Sequence, residues 1–415
     1  MTVSMTMCSR AELAPTLSGR QIERDLIDQH LRDAKEGRGS VLLIEGRAGL
    51  GKSRLLDEAV ACADVDGFQV GSAVASPLGH HIPMAPLLTA LFDGAEPVLD
   101  RTVHADVVPH EPSFWSVSRL ATELEVAARR RPLLLCIDDV QAVDCETAAA
   151  LGILTQRLSE LPVVWILSLR PHGVTRAVAD LVALLERHGA GKLALGPLDE
   201  LAARRLTADL LAAEPSTALL EVAALAGGVP AMLVDLVRGL LEEGFALVED
   251  GRAELVESQV PRRIGRQVRA AIAGTSPRAR EVAAVAAALG NPVALVHLAA
   301  MLDVAPASLL APIQELVNAD LLIDDGRSLE FRAELDRRAL IEQVAPSVSR
   351  ALRLQAIDLL LDAGACPLQP ARELAATARP GDKAALSTLM AASHAVGAVD
   401  PDLAAQLCRR AFEVT

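Results

Sequence analysis

Strand-length apolar runs alternate with segments of helical periodicity through the first half of the chain. The runs are Val41 to Glu45, Phe68 to Val74, Leu133 to Ile137, Val163 to Leu169 and Lys192 to Leu195. Parallel strands need long crossovers, and those crossovers are usually helices. The alternation therefore predicts an α/β domain over residues 15–197, with a parallel sheet and helices on both faces.

After Gly196-Pro197 the strand signals stop. Asp199 is placed to cap a helix through Leu211, a second follows from Ser216 to Ala226, and a third has Pro230 at its first position and Gly244 just past its end. Asp250-Gly251 between short apolar runs signals a hairpin. Residues 198–260 thus read as a helical, lid-like subdomain. From Arg278 the pattern gives three helices, to Leu289, Val293 to Leu302 and Pro306 to Asn318, then a second Asp-Gly hairpin from Leu321 to Phe331. Three helices and a hairpin predict a winged-helix-like domain over 261–345. Residues 346–415 read as helical pairs punctuated by Gly and Pro, the beginning of a TPR-like repeat array. The uncharged span Val282 to Leu302 is about long enough to cross a bilayer, but Gly290-Asn291-Pro292 interrupts it, so two short helices of a soluble domain are expected.

Composition narrows the chemistry. A length of 415 residues predicts two to four domains at roughly 100 to 200 residues each. With 51% hydrophobic residues the chain has ample surface to bury, which excludes wholesale disorder. A formal charge of −14 repels phosphate backbones and anionic lipid, so any nucleic-acid contact must be local and no membrane partner is expected. Aromatics are 2%, with no Tyr, which disfavours stacking platforms for single strands, and Trp115 and Trp165 read as core. Cys8, Cys62, Cys136, Cys145, Cys366 and Cys408 form no CxxC pair and are expected as buried, reduced thiols. His80-His81 are too close in sequence for a helical zinc pair. Met1 to Arg10 lack an apolar signal region, so the expected location is cytoplasmic.

The strongest chemical signal is Gly46-Arg47-Ala48-Gly49-Leu50-Gly51-Lys52-Ser53, which fits GxxxxGK[ST] with a strand before it and a helix after it. Gly46, Gly49 and Gly51 let backbone N–H groups turn inward around a β-phosphate, and the helix N-terminus adds its positive dipole. Lys52 is the cation for the β- and γ-oxygens of ATP, and the Ser53 hydroxyl is a ligand for Mg²⁺. Asp138 and Asp139 end the run Leu133 to Ile137, with Asp138 placed to hold Mg²⁺ through its hydration shell. Two readings of Asp139 stand: a residue that orients or deprotonates the attacking water, or a loop carboxylate with no catalytic role. Arg170, closing the strand that ends at Leu169, either senses the γ-phosphate or is an ordinary strand-end arginine. Gly227-Gly228-Val229-Pro230 is by itself a common helix start.

These stretches resemble the ATPase part of the large ATP-binding regulators of the LuxR family, within the STAND class of signalling NTPases. The resemblance rests on Leu17-Ser18-Gly19-Arg20-Gln21-Ile22-Glu23, the P-loop, Arg131 through Asp144, Leu195 to Leu198, Gly228-Val229-Pro230, and Phe331-Arg332 with Arg338-Ala339. It implies that Gly19 and Arg20 touch the adenine and that Pro230 packs on the base. Ala142 and Ala333 depart from the family, which often has Trp and His there, and the contacts of those residues are in doubt. Relatives continue through helical repeats to a C-terminal helix-turn-helix, so the chain reads as a fragment, a truncated product or a stand-alone module. The resemblance implies a slow, regulatory ATPase that acts as a nucleotide-gated switch. The implied partners are an inducer or regulatory protein at the C-terminal helices and a second copy in self-association. A stand-alone AAA-type ATPase that couples hydrolysis to remodelling is the alternative. A winged-helix DNA reader ranks third, because Pro306 to Asn318 carries Glu315 and no Lys or Arg. This chain alone is expected to bind no specific DNA. The arginines Arg262, Arg263, Arg266, Arg278 and Arg280 are expected to meet nucleotide phosphates or acidic surfaces instead.

Overall fold

The computed structural model describes residues 18–76, 82–100 and 114–414. Leu17, Cys8 and the His80-His81 pair lie outside them. The chain divides into two compact units, the first through Asp209 and the second from Leu210.

The first unit opens with helix α1 (Gln21–Lys35) and strand β1 (Ser40–Glu45), and continues with α2 (Lys52–Val65), β2 (Gln69–Val74), α3 (Ala85–Phe92) and α4 (Phe114–Arg130). It is completed by β3 (Leu133–Asp138), α5 (Cys145–Arg157), β4 (Val163–Leu169), α6 (Arg176–Arg187), β5 (Gly191–Ala194) and α7 (Glu200–Leu211). All five strands are parallel, in the order β2-β3-β4-β1-β5. Of the three inner strands, β3 and β4 are buried along their whole length, which is why they read as apolar runs, and β1 is buried over Leu42 to Ile44, whereas the edge strand β5 alternates in exposure. Asp144 caps α5 by accepting from Thr147 N at 2.7 Å, and Asp199 caps α7 by accepting from Ala202 N at 2.7 Å.

Trp165 is buried in this core, as the pattern predicts, but Trp115 is 79% exposed. It lies in the first turn of α4 on the face shared with Arg119 and Thr122, while Val117, Leu120, Ala121 and Leu124 face the core. Cys145 is likewise exposed rather than buried: it begins α5 beside the capping Asp144 and donates its Sγ–H to Glu146 Oε2 at 3.0 Å. The described cysteines are all free thiols.

The second unit begins with β6 (Glu214–Pro215), α8 (Thr217–Ala224), α9 (Pro230–Glu242) and the hairpin β7 (Ala246–Glu249) and β8 (Arg252–Leu255). β6 pairs in parallel with β8, so the expected hairpin becomes a three-stranded sheet. Then come α10 (Arg262–Ala273), α11 (Pro277–Leu289), α12 (Leu295–Met301), α13 (Leu310–Asn318), the antiparallel pair β9 (Leu322–Asp324) and β10 (Leu329–Phe331), and α14 (Glu334–Glu342). The uncharged span from Val282 to Leu302 is thus split between α11 and α12. No single helix among the described residues is long and apolar enough to cross a membrane.

Four helices complete the unit: α15 (Pro346–Asp362), α16 (Leu368–Thr377), α17 (Lys383–Val396) and α18 (Pro401–Val414). They close on a core of Ala371, Leu374, Ala385, Leu389, Ala392, Leu403, Leu407 and Ala411, where small side chains let helices approach closely. The Gly227-Gly228 turn packs within this unit against the segment after β10: Leu335 N donates to Leu225 O at 3.2 Å, and a Cβ at Gly227 would lie 3.4 Å from Arg332 O.

Candidate nucleotide-binding site

The strand order explains how residues far apart in sequence meet. β4 lies between β1 and β3, so Arg170 at its C-terminal end stands between the loop that follows β1 and the acidic pair that ends β3. Ligands of open α/β sheets bind at this carboxyl edge.

Gly49 and Gly51 have φ values of +80° and +96°, and a Cβ placed on Gly51 would meet no atom within 4 Å. The loop therefore turns through a backbone conformation that L side chains rarely adopt. Lys52 opens α2 and is 5% exposed, with Nζ donating to Gly46 O at 2.8 Å and to Arg47 O at 3.0 Å. The ammonium is thus held across the loop. Ser53 Oγ donates to Asp138 Oδ2 at 2.5 Å, and Asp138 Oδ1 accepts from Asp139 N at 3.0 Å and from the Ser168 hydroxyl.

Asp139 is held in a left-handed conformation at φ 57°. Its Oδ1 accepts from Gln141 Nε2 at 2.8 Å and Arg170 Nε at 3.3 Å, and its Oδ2 accepts from Arg170 Nη2 at 3.2 Å. Gln141 turns its carbonyl the other way and accepts from Arg170 N at 2.9 Å. Burial pushes the Asp139 carboxyl up, but the Gln141 amide, the Arg170 guanidinium and the Lys52 ammonium outweigh it and hold the group below the usual carboxylate range.

Arg20 is buried and binds Leu50 O at 3.2 Å, Gly196 O at 2.6 Å and Glu23 at 2.9 Å. It ties the start of the domain to the phosphate loop and to the segment after β5. Gly19 is positioned by α7, because a Cβ there would come within 2.2 Å of Ala202 Cβ.

The structure thus brings together Gly46, Gly49, Gly51, Lys52, Ser53, Asp138, Asp139 and Arg170, with Arg20 tied to the loop through Leu50 O and Gly19 packed against α7. Pro230 is the first residue of α9, in the second unit. Ser168 was not anticipated. It is wholly buried, and its signal was available as the only polar side chain in Val163–Leu169.

Residues 16–166 match the sequence model of the AAA ATPase domain. This segment is an AAA-type ATPase domain. The chain is also 27% identical over 332 residues to an uncharacterized protein of Rhizobium meliloti, a match covering 69% of this chain and 31% of that protein, so the chain spans about a third of its relative's length. Among solved structures it resembles a Walker-type ATPase of Pyrococcus abyssi, with a TM-score of 0.51 at 14% identity over 79% of this chain and 99% of the other, a likeness of fold. A STAND protein with a tetratricopeptide repeat sensor from Pyrococcus horikoshii aligns with a TM-score of 0.33 at 14% identity, over 93% of this chain and 49% of the other.

The residues present fit a nucleotide and its metal. The left-handed Gly49 and Gly51 and the Lys52 ammonium held by Gly46 O and Arg47 O, at the N-terminus of α2, suit a polyphosphate. No group of three or more His, Cys, Asp or Glu among the described residues is arranged to hold a metal. Ser53 and Asp138 instead offer the hard oxygen set that suits Mg²⁺ when phosphates complete its shell.

Proposed function

We propose that this chain is an ATP-binding, slowly hydrolysing switch, the signalling module of a LuxR-type transcriptional regulator. In this reading residues 15–197 bind ATP, 198–260 form a lid, 261–345 form a winged-helix-like module and 346–415 open a helical array. Gly46, Gly49, Gly51 and Lys52 hold the phosphates, Ser53 and Asp138 hold Mg²⁺, and Gly19, Arg20 and Pro230 serve the adenine end. Mg²⁺, when bound, would draw charge from the β- and γ-oxygens. Asp139 orients and accepts a proton from the attacking water, and Arg170 reads the γ-phosphate.

The observation that carries this reading is the Asp139–Arg170 pair. A carboxylate held below its ordinary range is a poor base, and both of its oxygens are occupied by Arg170, with Gln141 on one of them. Hydrolysis then waits for Arg170 to exchange its partner for the γ-phosphate, which couples turnover to nucleotide state.

Asp139→Asn is expected to keep ATP affinity within about threefold while single-turnover hydrolysis falls about a hundredfold. Asp138→Asn should weaken the Mg²⁺ dependence of binding. Small-angle scattering of the parent should differ between ATP and ADP, with Arg170→Ala erasing the difference. Hydrolysis at the parental rate in both carboxylate variants, or identical parental profiles, would refute the switch.

Regulation by direct DNA reading is not part of this proposal. Glu315 on α13 accepts from the Ser276 N and Oγ at 2.6 and 3.0 Å, so this helix is anchored by an acid at the start of α11 and offers no cation. Of the nearby arginines, Arg263 binds Asp235 and Glu242, and Arg278 binds Glu281. A mobility-shift assay with a pool of random duplexes at physiological salt should enrich no sequence; selective enrichment would restore the DNA-reader reading.

A further inference from the structure

The turn that follows β3 sets one side chain between the two strand ends of the nucleotide site. Residues Val140–Ala142 form a single 3₁₀ turn, in which Ala142 N donates to Asp139 O at 2.8 Å and Val143 N donates to Val140 O at 3.1 Å. Residues three apart eclipse in such a turn, so Val140 and Val143 go into the core together and anchor it there. Gln141 is left half-buried beside the Asp139 carboxylate. Asp144 then caps α5, which fixes the far end of the turn.

Both halves of the Gln141 amide are used. Its Nε2 donates to Asp139 Oδ1 at 2.8 Å, and its Oε1 accepts from Arg170 N at 2.9 Å. The amide fits only this way round, because the reverse would set its oxygen against a carboxylate and its NH₂ against an N–H. Arg170 reaches Asp139 through Nε at 3.3 Å and Nη2 at 3.2 Å, longer bonds than that of Gln141 and carried on a partly exposed side chain. Gln141 thus holds the main chain of Arg170, while the guanidinium is held by Asp139. The guanidinium can swing on its stem without breaking either bond of the amide.

We propose that Gln141 is the positioning residue of the exchange at Asp139, fixing the carboxylate and the Arg170 main chain while the Arg170 guanidinium moves. The inference rests on the switch reading, in which Arg170 leaves Asp139 for the γ-phosphate. That departure removes two of the three side-chain bonds that Asp139 accepts from described residues, and the bond from Gln141 remains. With Oδ1 still engaged, Oδ2 is the oxygen freed to take a proton from water. The water oxygen bonds to the γ-phosphorus as the bond to the β–γ bridging oxygen breaks, and ADP leaves with that electron pair. Without the amide the carboxylate is free to rotate, and a misplaced base costs rate rather than binding.

Two substitutions separate the halves of the amide. Gln141→Met removes donor and acceptor at nearly the same length, whereas Gln141→Glu keeps the acceptor and replaces the donor with an oxygen. Single-turnover hydrolysis should fall about tenfold or more in both, while affinity for a non-hydrolysable ATP analogue stays within about twofold of the parent. Amide hydrogen exchange of the nucleotide-free protein gives a readout independent of turnover. The Arg170 N–H should exchange about tenfold faster than the parent in Gln141→Met, and within about threefold of it in Gln141→Glu, where a charged acceptor still holds it. Parental hydrolysis in Gln141→Met, analogue affinity that falls in step with the rate, or unchanged Arg170 exchange in Gln141→Met would each overturn the role. Asp139→Asn tells this failure from failure of the reading beneath it. A parental rate in Asp139→Asn removes the base and Gln141 with it, whereas a slowed Asp139→Asn beside a parental Gln141→Met removes Gln141 alone.

Discussion

Lys52→Ala is expected to weaken ATP binding by about a hundredfold, roughly 2.7 kcal/mol. The side chain is buried at the first position of α2, and its ammonium is already held by Gly46 O and Arg47 O. A ligand phosphate therefore meets a cation whose ordering entropy was spent on folding, in a site partly shielded from water, where a charge-assisted bond is worth more than at an exposed surface. Alanine removes the cation and leaves the two carbonyl groups at the mouth of the loop, where they repel phosphate oxygens. Titration with a fluorescent ATP analogue measures the loss, and circular dichroism checks that the helix survives. Affinity within threefold of the parent would refute the assignment of the loop.

What the sequence made legible follows from how local each feature is. The phosphate loop and Asp138 are contiguous motifs whose flanking strands and helix are written beside them, so their placement needed no knowledge of the sheet. The contact between Asp139 and Arg170 needed the strand order, because β4 inserts between β1 and β3 although it follows both in the chain. Arg170 was therefore recognisable as a strand-end residue, but its partner was not. Ser168 was hidden for the same reason: a serine in an apolar strand has meaning only once Asp138 on the neighbouring strand is known to accept from it. Trp115 failed differently. Its large apolar side chain suggested core, but the phase of α4 is set by the turns after it, and those place it with Arg119 on the outer face. Arg20 is assigned to the adenine end by resemblance, and no local pattern announces the two backbone carbonyls that its guanidinium also engages.

Arg337→Ala is expected to destabilise the second unit by about 3 kcal/mol, at the lower end of the cost of breaking a buried ion pair. Arg337 is 1% exposed although its segment reads as an ordinary polar helix. Its Nε and Nη2 donate to Glu334 at 2.9 and 2.6 Å, its Nη1 donates to Ala287 O at 2.7 Å, and Nη2 also reaches Glu373. Arg353 donates to the other oxygen of Glu373 at 2.9 Å. One guanidinium thus links α11, α14 and α16, and its removal takes one partner from each of two acids that are only 17% and 20% exposed. Arg353 remains for Glu373 and Arg338 for Glu334, which is why the lower end of the range applies.

The pH dependence gives the prediction a sign. Burial pushes the Glu373 carboxyl up, but Arg337 and Arg353 outweigh it and hold the group below its ordinary value. In the parent, that pairing contributes stability at neutral pH and is lost as pH falls through the depressed value. In the variant, Arg353 alone opposes burial and the carboxyl rises from its parental position. The deficit should therefore be largest near pH 7 and shrink as pH falls below about 5, where these acids take up protons. Urea unfolding followed by far-UV circular dichroism measures it, while tryptophan emission reports the first unit alone, since Trp115 and Trp165 both lie there. Adding Glu373→Gln to Arg337→Ala should recover part of the loss at pH 7, because the second substitution removes a buried charge that the first left with Arg353 as its remaining partner. A deficit below about 1 kcal/mol, or one that does not shrink between pH 7 and about pH 4, would show that the network contributes little to holding these helices together.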